Sequence, residues 1–458
     1  MRLYINKLKQ VLVSKLGMDR AIAASSLTQM IRFVTGPITM VLMIRHFTPE
    51  EQGFFYSFAG VIGLQVFLEA GFAQSITQFT SKEFASLRFN TSGALTGDPA
   101  ALSRLRSLLA QSNRYYCSMA AVLTVALSIG GYWFFSSKSS HGVPWHIPWF
   151  VVCFTSGLGF LLTPYWAFLV GCNRVAQVAT YRFWATLVGF TVTATGLILG
   201  FGIYVVVYGA LFNLVFPIVY LTTRWRKLLL QVLRPPGKYI ISWREDIWGF
   251  QWRIALTWMS RYFLESGIAP LAFQISGPLM AGKIGMTFQV VRMIGGISNT
   301  WTATKIPYWG ALAAGNRWEE LEFSWRSAAR RNVLLTFIGL LAFVVAFPLL
   351  NSIWPTASNR FLAITDIAYF SVGWFFYSFW LVSMHYTRAL RQEPYTFLHV
   401  AVGLVFLSGC LLLYKNFGDS TIPLIFCLVH IVPAYIAVRL RGNIRNSLLV
   451  QKSDTYHE

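Results

Sequence analysis

Five cationic side chains stand inside long apolar runs of this sequence: Arg32, Arg253, Arg261, Lys283 and Arg292. One Arg or Lys at mid-bilayer is unfavourable by about 2.5–3.5 kcal/mol on insertion scales. Lys283 lies near enough to the end of its run to snorkel to the interface. Arg32 does not, because about eleven residues precede it in its run, roughly 16 Å at 1.5 Å per residue. The spacing of its neighbours gives Arg32 a context. Ser25, Thr28, Arg32, Thr35 and Thr39 recur at intervals of three and four, which puts them on one helical face. On a later run Arg253, Thr257 and Ser260 share a face, with Arg261 and Glu265 one turn apart beside it. On the next run Gln289, Arg292, Gly296 and Asn299 line up in the same way. Basic, hydroxyl-rich stripes of this kind must face a protein interior or a wet cavity.

Two readings of the stripes compete. In one, the arginines pair with the intramembrane acids Glu69, Glu265 and Asp366 and pin helices together, Arg261 with Glu265 at i,i+4 being the clearest pair. In the other, positive charge left over after pairing lines a cavity that receives an anion. Five bases against three acids favour the second, for Arg32 and Arg292 above all. The candidate anion-binding set is therefore Arg32, Arg253, Arg261, Arg292, Thr28, Thr35 and Gln289. Glu69, with Gln65 one turn before it, Glu265 and Asp366 are the candidate sites for a coupling ion, proton or sodium.

Other chemistry is not indicated. The seven histidines are scattered, mostly near the ends of apolar runs, with no metal-ligand spacing, and read as interface residues. The five cysteines all fall in apolar runs without paired spacing, as small buried or lipid-facing side chains do. There is no Walker A loop, dinucleotide-binding glycine loop, GxSxG or HExxH. An enzyme is not expected, and neither is a bound cofactor.

The elements that must carry these residues are transmembrane helices. Of 458 residues, 55% are hydrophobic and only 12% charged, about half the charged share of soluble domains. Apolar runs predict twelve spans, near 21–46, 53–82, 111–136, 148–171, 176–200, 201–223, 247–270, 279–301, 331–353, 362–387, 395–414 and 420–440. Residues 1–20 alternate Lys and Arg with apolar residues and predict an amphipathic helix on the membrane surface. Of the 38 Lys and Arg, 29 fall on one side of this topology, four (Arg45, Lys138, Arg360 and Lys415) on the other, and five inside spans. That asymmetry predicts both termini in the cytoplasm. Anionic lipid facing the basic loops accounts for most of the net charge of +21, with no need for nucleic acid.

The chain also repeats itself weakly. Pro49 and Gly53, between the first two spans, share their spacing with Pro278 and Gly282, between the seventh and eighth. A basic linker before span seven mirrors the basic N-terminus. The expected fold is all-α: two parallel six-helix bundles around a central cavity. The expected divisions are 1–223 for the first bundle, 224–246 for the basic linker, 247–441 for the second bundle and 442–458 for the tail.

The segment IRHFTPEEQGFFYSFAGVIGLQVFLEAGFAQSITQFTSKE resembles the start of the polysaccharide-biosynthesis (O-antigen, Wzx-type) flippases of the multidrug/oligosaccharidyl-lipid/polysaccharide (MOP) exporter superfamily. Thr48, Pro49, Glu50, Glu51 and Gly53 match the family's turn after the first helix. Gly71, Ser75, Ile76 and Thr77 match the end of its second more loosely. The resemblance implies a bacterial inner-membrane protein that moves an undecaprenyl-diphosphate-linked oligosaccharide between leaflets by alternating access. An arginine at about the position of Arg32 belongs to the cationic cavity of related lipid-diphosphate flippases, and a diphosphate is well matched by guanidinium forks. Membrane lipids, a polysaccharide polymerase and a chain-length regulator are the implied partners. A multidrug exporter of the same superfamily would instead use cavity acids for cationic cargo. A membrane glycosyltransferase or polymerase would need larger outer loops than these.

Overall fold

The computed structural model describes residues 20–91, 93–138, 142–241, 248–390 and 392–455, without the side chains of 20–26, 248–254 and 448–455. The amphipathic helix expected over 1–20 lies outside the described residues, as do the side chains of Ser25 and Arg253.

In chain order the helices and strands are α1 (Arg20–His46), α2 (Pro49–Ile62), α3 (Gln65–Glu69), α4 (Phe72–Phe84), β1 (Leu87–Phe89), β2 (Leu95–Gly97), α5 (Pro99–Ser136), α6 (His146–Phe160), α7 (Thr163–Gly171), α8 (Val175–Ile198), α9 (Val205–Arg224) and α10 (Arg226–Val232). There follow α11 (Trp248–Glu265), α12 (Ile268–Ser276), α13 (Pro278–Ala303), α14 (Ile306–Ala314), α15 (Trp318–Ile353), α16 (Pro355–Ser358), α17 (Ile364–Ala389), α18 (Thr396–Phe417) and α19 (Thr421–Thr455). Each of the twelve expected spans falls on a helix or on consecutive helices. Among the described residues, seven helices are long and apolar enough to cross a membrane, or eight if the bent pair ending in α4 is one span. Helices α8, α11 and α13 fall short of that standard because Arg, Gln, Thr, Ser and Gly interrupt their apolar residues.

The chain forms two compact units, Met1–Thr48 with Leu64–Ala255, and Pro49–Gly63 with Leu256–Glu458. In the first unit α1 packs along α8, α4 on α7, and α9 on α6 and α8. Helix α5 begins where the Asp98 carboxylate accepts from the N–H groups of Ala100 (3.0 Å) and Ala101 (3.2 Å). Pro99 follows as the first helical residue, where a missing N–H is harmless. Further along, Trp149 lies over Gly131, where a Cβ would come within 2.1 Å of the indole, and donates Nε1–H to the Leu127 carbonyl at 3.1 Å.

Strands β1 and β2 make a short antiparallel hairpin, with Leu87 opposite Gly97 and Phe89 opposite Leu95. Its open edge is closed by the Gln231 side chain, which accepts from Leu95 N–H at 2.7 Å and donates to Leu95 O at 2.6 Å. The described part of the basic linker is laid along α5. Ser103 donates to the Tyr239 carbonyl at 2.9 Å, and Gln111 to that of Ile241 at 2.9 Å.

In the second unit α17 and α19 share a long interface, and α13 packs against α2, α12, α15 and α17. Small residues set the α2–α13 crossing. There Gln52 on α2 donates to the Gly282 carbonyl at 2.8 Å, while Tyr262 of α11 donates to the Gly60 carbonyl of α2 at 3.1 Å. Asn332 on α15 donates to the Ser298 carbonyl of α13 at 3.0 Å. Helices whose outer faces meet lipid gain little from burying apolar surface against each other, so close backbone approach and hydrogen bonds of this kind hold them together.

Candidate functional site

Glu265 closes α11, one turn beyond Arg261. Its carboxylate is shared. Oε1 meets Arg261 Nη2 at 2.6 Å and accepts from the Tyr377 hydroxyl of α17 at 3.2 Å, while Oε2 faces Arg292 Nη2 of α13 at 3.6 Å. The 2.6 Å contact is a charge-assisted hydrogen bond; the 3.6 Å contact is an ion pair without one. Glu265 retains 18% of its exposure. One carboxylate between two guanidiniums leaves a net charge of +1 in this unit's cluster. The Arg261–Glu265 pairing read from the sequence is present, and Arg292, which favoured the unpaired reading, shares that same acid.

The hydroxyls around this cluster are largely spent on structure. Thr257 bonds Thr396 at 3.2 Å, and Ser260 donates to the Leu256 carbonyl at 2.7 Å. Gln289, one turn before Arg292, is exposed. Lys283 is half-buried in the second turn of α13.

In the first unit Arg32 is exposed on α1. Thr28 on the same stripe is buried, while Thr35 and Thr39 donate to their own helix at 2.9 Å (Ile31 O) and 2.8 Å (Thr35 O). Their hydroxyls thus offer a ligand lone pairs rather than free protons. Arg182 is absent from the candidate set read from the sequence, because it was counted with the charges next to the cytoplasm although it falls within the expected span 176–200. It stands two turns inside α8, against which α1 packs, and its charge interacts with that of Arg32. Among the described residues neither arginine has a carboxylate partner. The signal was in the sequence: the span expected from 176 already holds Arg182 six residues inside it, and α8 starts at Val175.

The acids are dispersed. Glu69 ends α3, at a break where Ala70 (φ 45°) and Gly71 (φ 74°) both take left-handed backbone. Its charge acts on the hydroxyls of Tyr115 and Tyr116, and Tyr115 donates to the adjacent Leu68 carbonyl at 2.5 Å. Asp366, expected as a deep acid able to neutralise an arginine, sits instead in the first turn of α17 beside Ser420 and Asp419. Its place at a helix start separates it from the Arg261–Arg292 cluster.

Three histidines expected at interfaces are buried in the second unit: His385, His399 and His430. His399 and His430 each hold the carbonyl four residues back through Nδ1, at 2.9 and 2.7 Å, and so carry their proton there. His399 packs 4.1 Å from Trp380, and His430 lies 5.0 Å from Tyr377. Polar side chains on lipid-embedded helices turn inward, which the mere proximity of a residue to a span end did not reveal. Among the described residues no group of His, Cys, Asp and Glu could hold a metal ion.

Solved structures place this architecture. The fold is similar to the inward-facing conformation of a multidrug resistance MATE family transporter of the MOP superfamily, at 14% identity over 94% of this chain and 99% of that one, with a TM-score of 0.67. It is similar to the outward-facing conformation of such a transporter at 12% identity, covering 94% and 95%, with a TM-score of 0.54. A third is a MOP superfamily transporter from Pyrococcus furiosus whose structure is described by the reverse polarity of its binding pocket. It matches at 14% identity, covering 93% and 96%, with a TM-score of 0.58. No family model matches the sequence, and no curated protein matches it. The chain has the twelve-helix transporter fold of these neighbours.

Proposed function

We propose that this chain is an alternating-access transporter of the MOP superfamily that moves an undecaprenyl-diphosphate-linked oligosaccharide across the bacterial inner membrane. The observation that carries the reading is the excess of guanidinium over carboxylate on the polar helices. Arg32 and Arg182 have no acid partner among the described residues, and Arg261 and Arg292 divide one. Such a surplus on polar helices favours an anionic guest, and diphosphate oxygens fit guanidinium forks two at a time. The Pyrococcus furiosus neighbour is a precedent for this fold with a pocket of reverse polarity.

In this reading the basic loops face the cytoplasm, with both termini, and the polyprenyl tail stays in lipid while the head group is carried. A polymerase and a chain-length regulator would receive the product. Glu265 is held by two arginines, so Glu69, with tyrosines beside it and no ion pair among the described residues, is the better site for a coupling proton or sodium.

Export of cationic drugs is the second reading, favoured by the MATE neighbours and by Glu69 itself. Cells that lack the protein separate the two. Accumulation of a complete lipid-linked oligosaccharide on the cytoplasmic leaflet supports the flippase. Normal surface polysaccharide together with raised sensitivity to cationic drugs overturns it.

A further inference from the structure

A second basic site lies in the first unit, lined by residues that the transport reading does not use. Asn90, Thr91 and Gly93 between β1 and β2, the start of α8 and the junction of α9 with α10 surround a half-open cavity of about 500 Å³. Arg174, Arg224, Arg226 and Lys227 line it, and among the described residues no Asp or Glu does. Four cations around one concavity repel each other and attract an anion, and low-dielectric walls strengthen that field.

Two features mark this as a built site and not merely a basic surface. The Arg174 guanidinium is stacked 3.9 Å above the Phe89 ring and 5.9 Å from that of Trp225, so its position is fixed before any ligand arrives. Arg174 Nε and Trp225 Nε1 are buried without a hydrogen-bond partner, and Trp225 is only 9% exposed. A buried donor left unsatisfied costs about 1–3 kcal/mol, which a ligand offering acceptor oxygens recovers.

We propose that this cavity binds a phosphate group. Phosphate has only acceptor oxygens, carries the opposite charge and directs its oxygens tetrahedrally, matching donors that arrive from three separate elements. The cavity exceeds what a bare phosphate fills and leaves room for the group to which it is esterified. Beside the cations, Leu230 and Leu233 are 59% and 50% exposed, an apolar edge that suits contact with acyl chains. A phospholipid headgroup and a soluble phosphate ester offer the same chemistry. The site is independent of what the protein transports.

The test uses the purified full chain. Native mass spectrometry counts phosphatidylglycerol and phosphatidylcholine retained from mixed micelles, and titration with pyrophosphate in lipid-free detergent probes the soluble source. Arg226→Gln with Lys227→Gln removes two exposed charges, Trp225→Phe removes one N–H with its ring kept, and Lys415→Gln, an exposed charge on α18, is the control outside the cavity. Retention of phosphatidylglycerol over phosphatidylcholine that falls about tenfold in the double variant and severalfold in Trp225→Phe, but not in Lys415→Gln, supports a headgroup site. Saturable pyrophosphate binding with the same dependence supports the soluble source. Equal retention of the two lipids without pyrophosphate binding, or binding unchanged in both cavity variants, overturns the proposal.

Discussion

Gly53 of α2 and Gly282 of α13, the two glycines of the internal repeat, pack backbone against backbone. A Cβ on Gly53 would stand 1.9 Å from the Pro278 carbonyl oxygen, and one on Gly282 would stand 3.0 Å from both Gly53 N and Pro49 O. The repeat is therefore also a contact, in which each Pro-x-x-x-Gly segment supplies the surface the other needs. Gly53→Ala should force the helices apart, because the obstacle is backbone and cannot rotate away. Overpacking of this kind destabilises by about 1–3 kcal/mol, so thermal unfolding should begin several degrees lower. Gly53→Ala unfolding at the wild-type temperature would show that the crossing yields without cost.

The Glu265 cluster predicts a non-additive pair. Glu265→Gln leaves Arg261 and Arg292 facing each other without their anion, and breaking a buried ion pair on one side is destabilising. Partial exposure of both arginines reduces the effect to about 1–3 kcal/mol. Arg261→Gln added to Glu265→Gln should recover at least half of the loss in a chemical-denaturation series. Losses that simply add would mean that the two side chains are not coupled.

At Glu69 the expected effect is on energy coupling. Glu69→Gln keeps the shape and the hydrogen bonds near Tyr115 but cannot exchange a proton or balance a sodium ion. Movement of cargo driven by an imposed ion gradient should fall at least about tenfold, while exchange between equal pools continues. Equal losses in both assays would assign Glu69 to structure or to cargo.

Much of the fold was legible because bilayer thickness fixes span length, and all twelve predicted spans coincide with helices. The Pro49–Gly53 and Pro278–Gly282 match was legible as a repeat. Its meaning as a crossing was not, since sequence spacing does not say which surfaces meet. The Arg261–Glu265 pair followed from i,i+4 spacing alone. Arg292 joining it did not, because that contact depends on how α13 lies against α11. Arg182 was counted with the charges next to the cytoplasm although the expected span contained it, and Asp366 was overvalued because it lies in the first turn of its helix, only four residues into the expected span. Spacing put Thr35 and Thr39 on a polar stripe but did not show where their hydroxyls point; threonines within a helix commonly turn back to the carbonyl four residues earlier, as these two do.

The most direct measurement is the rate at which the purified, reconstituted chain moves an undecaprenyl-diphosphate-linked oligosaccharide between leaflets, compared with Arg32→Gln and Arg182→Gln. Wild type should accelerate the movement. Either substitution should slow it at least about tenfold, the effect of losing one charge-assisted contact, with unchanged thermal stability because each change also relieves a like-charge repulsion. No acceleration by wild type, or wild-type rates in both variants, would contradict it.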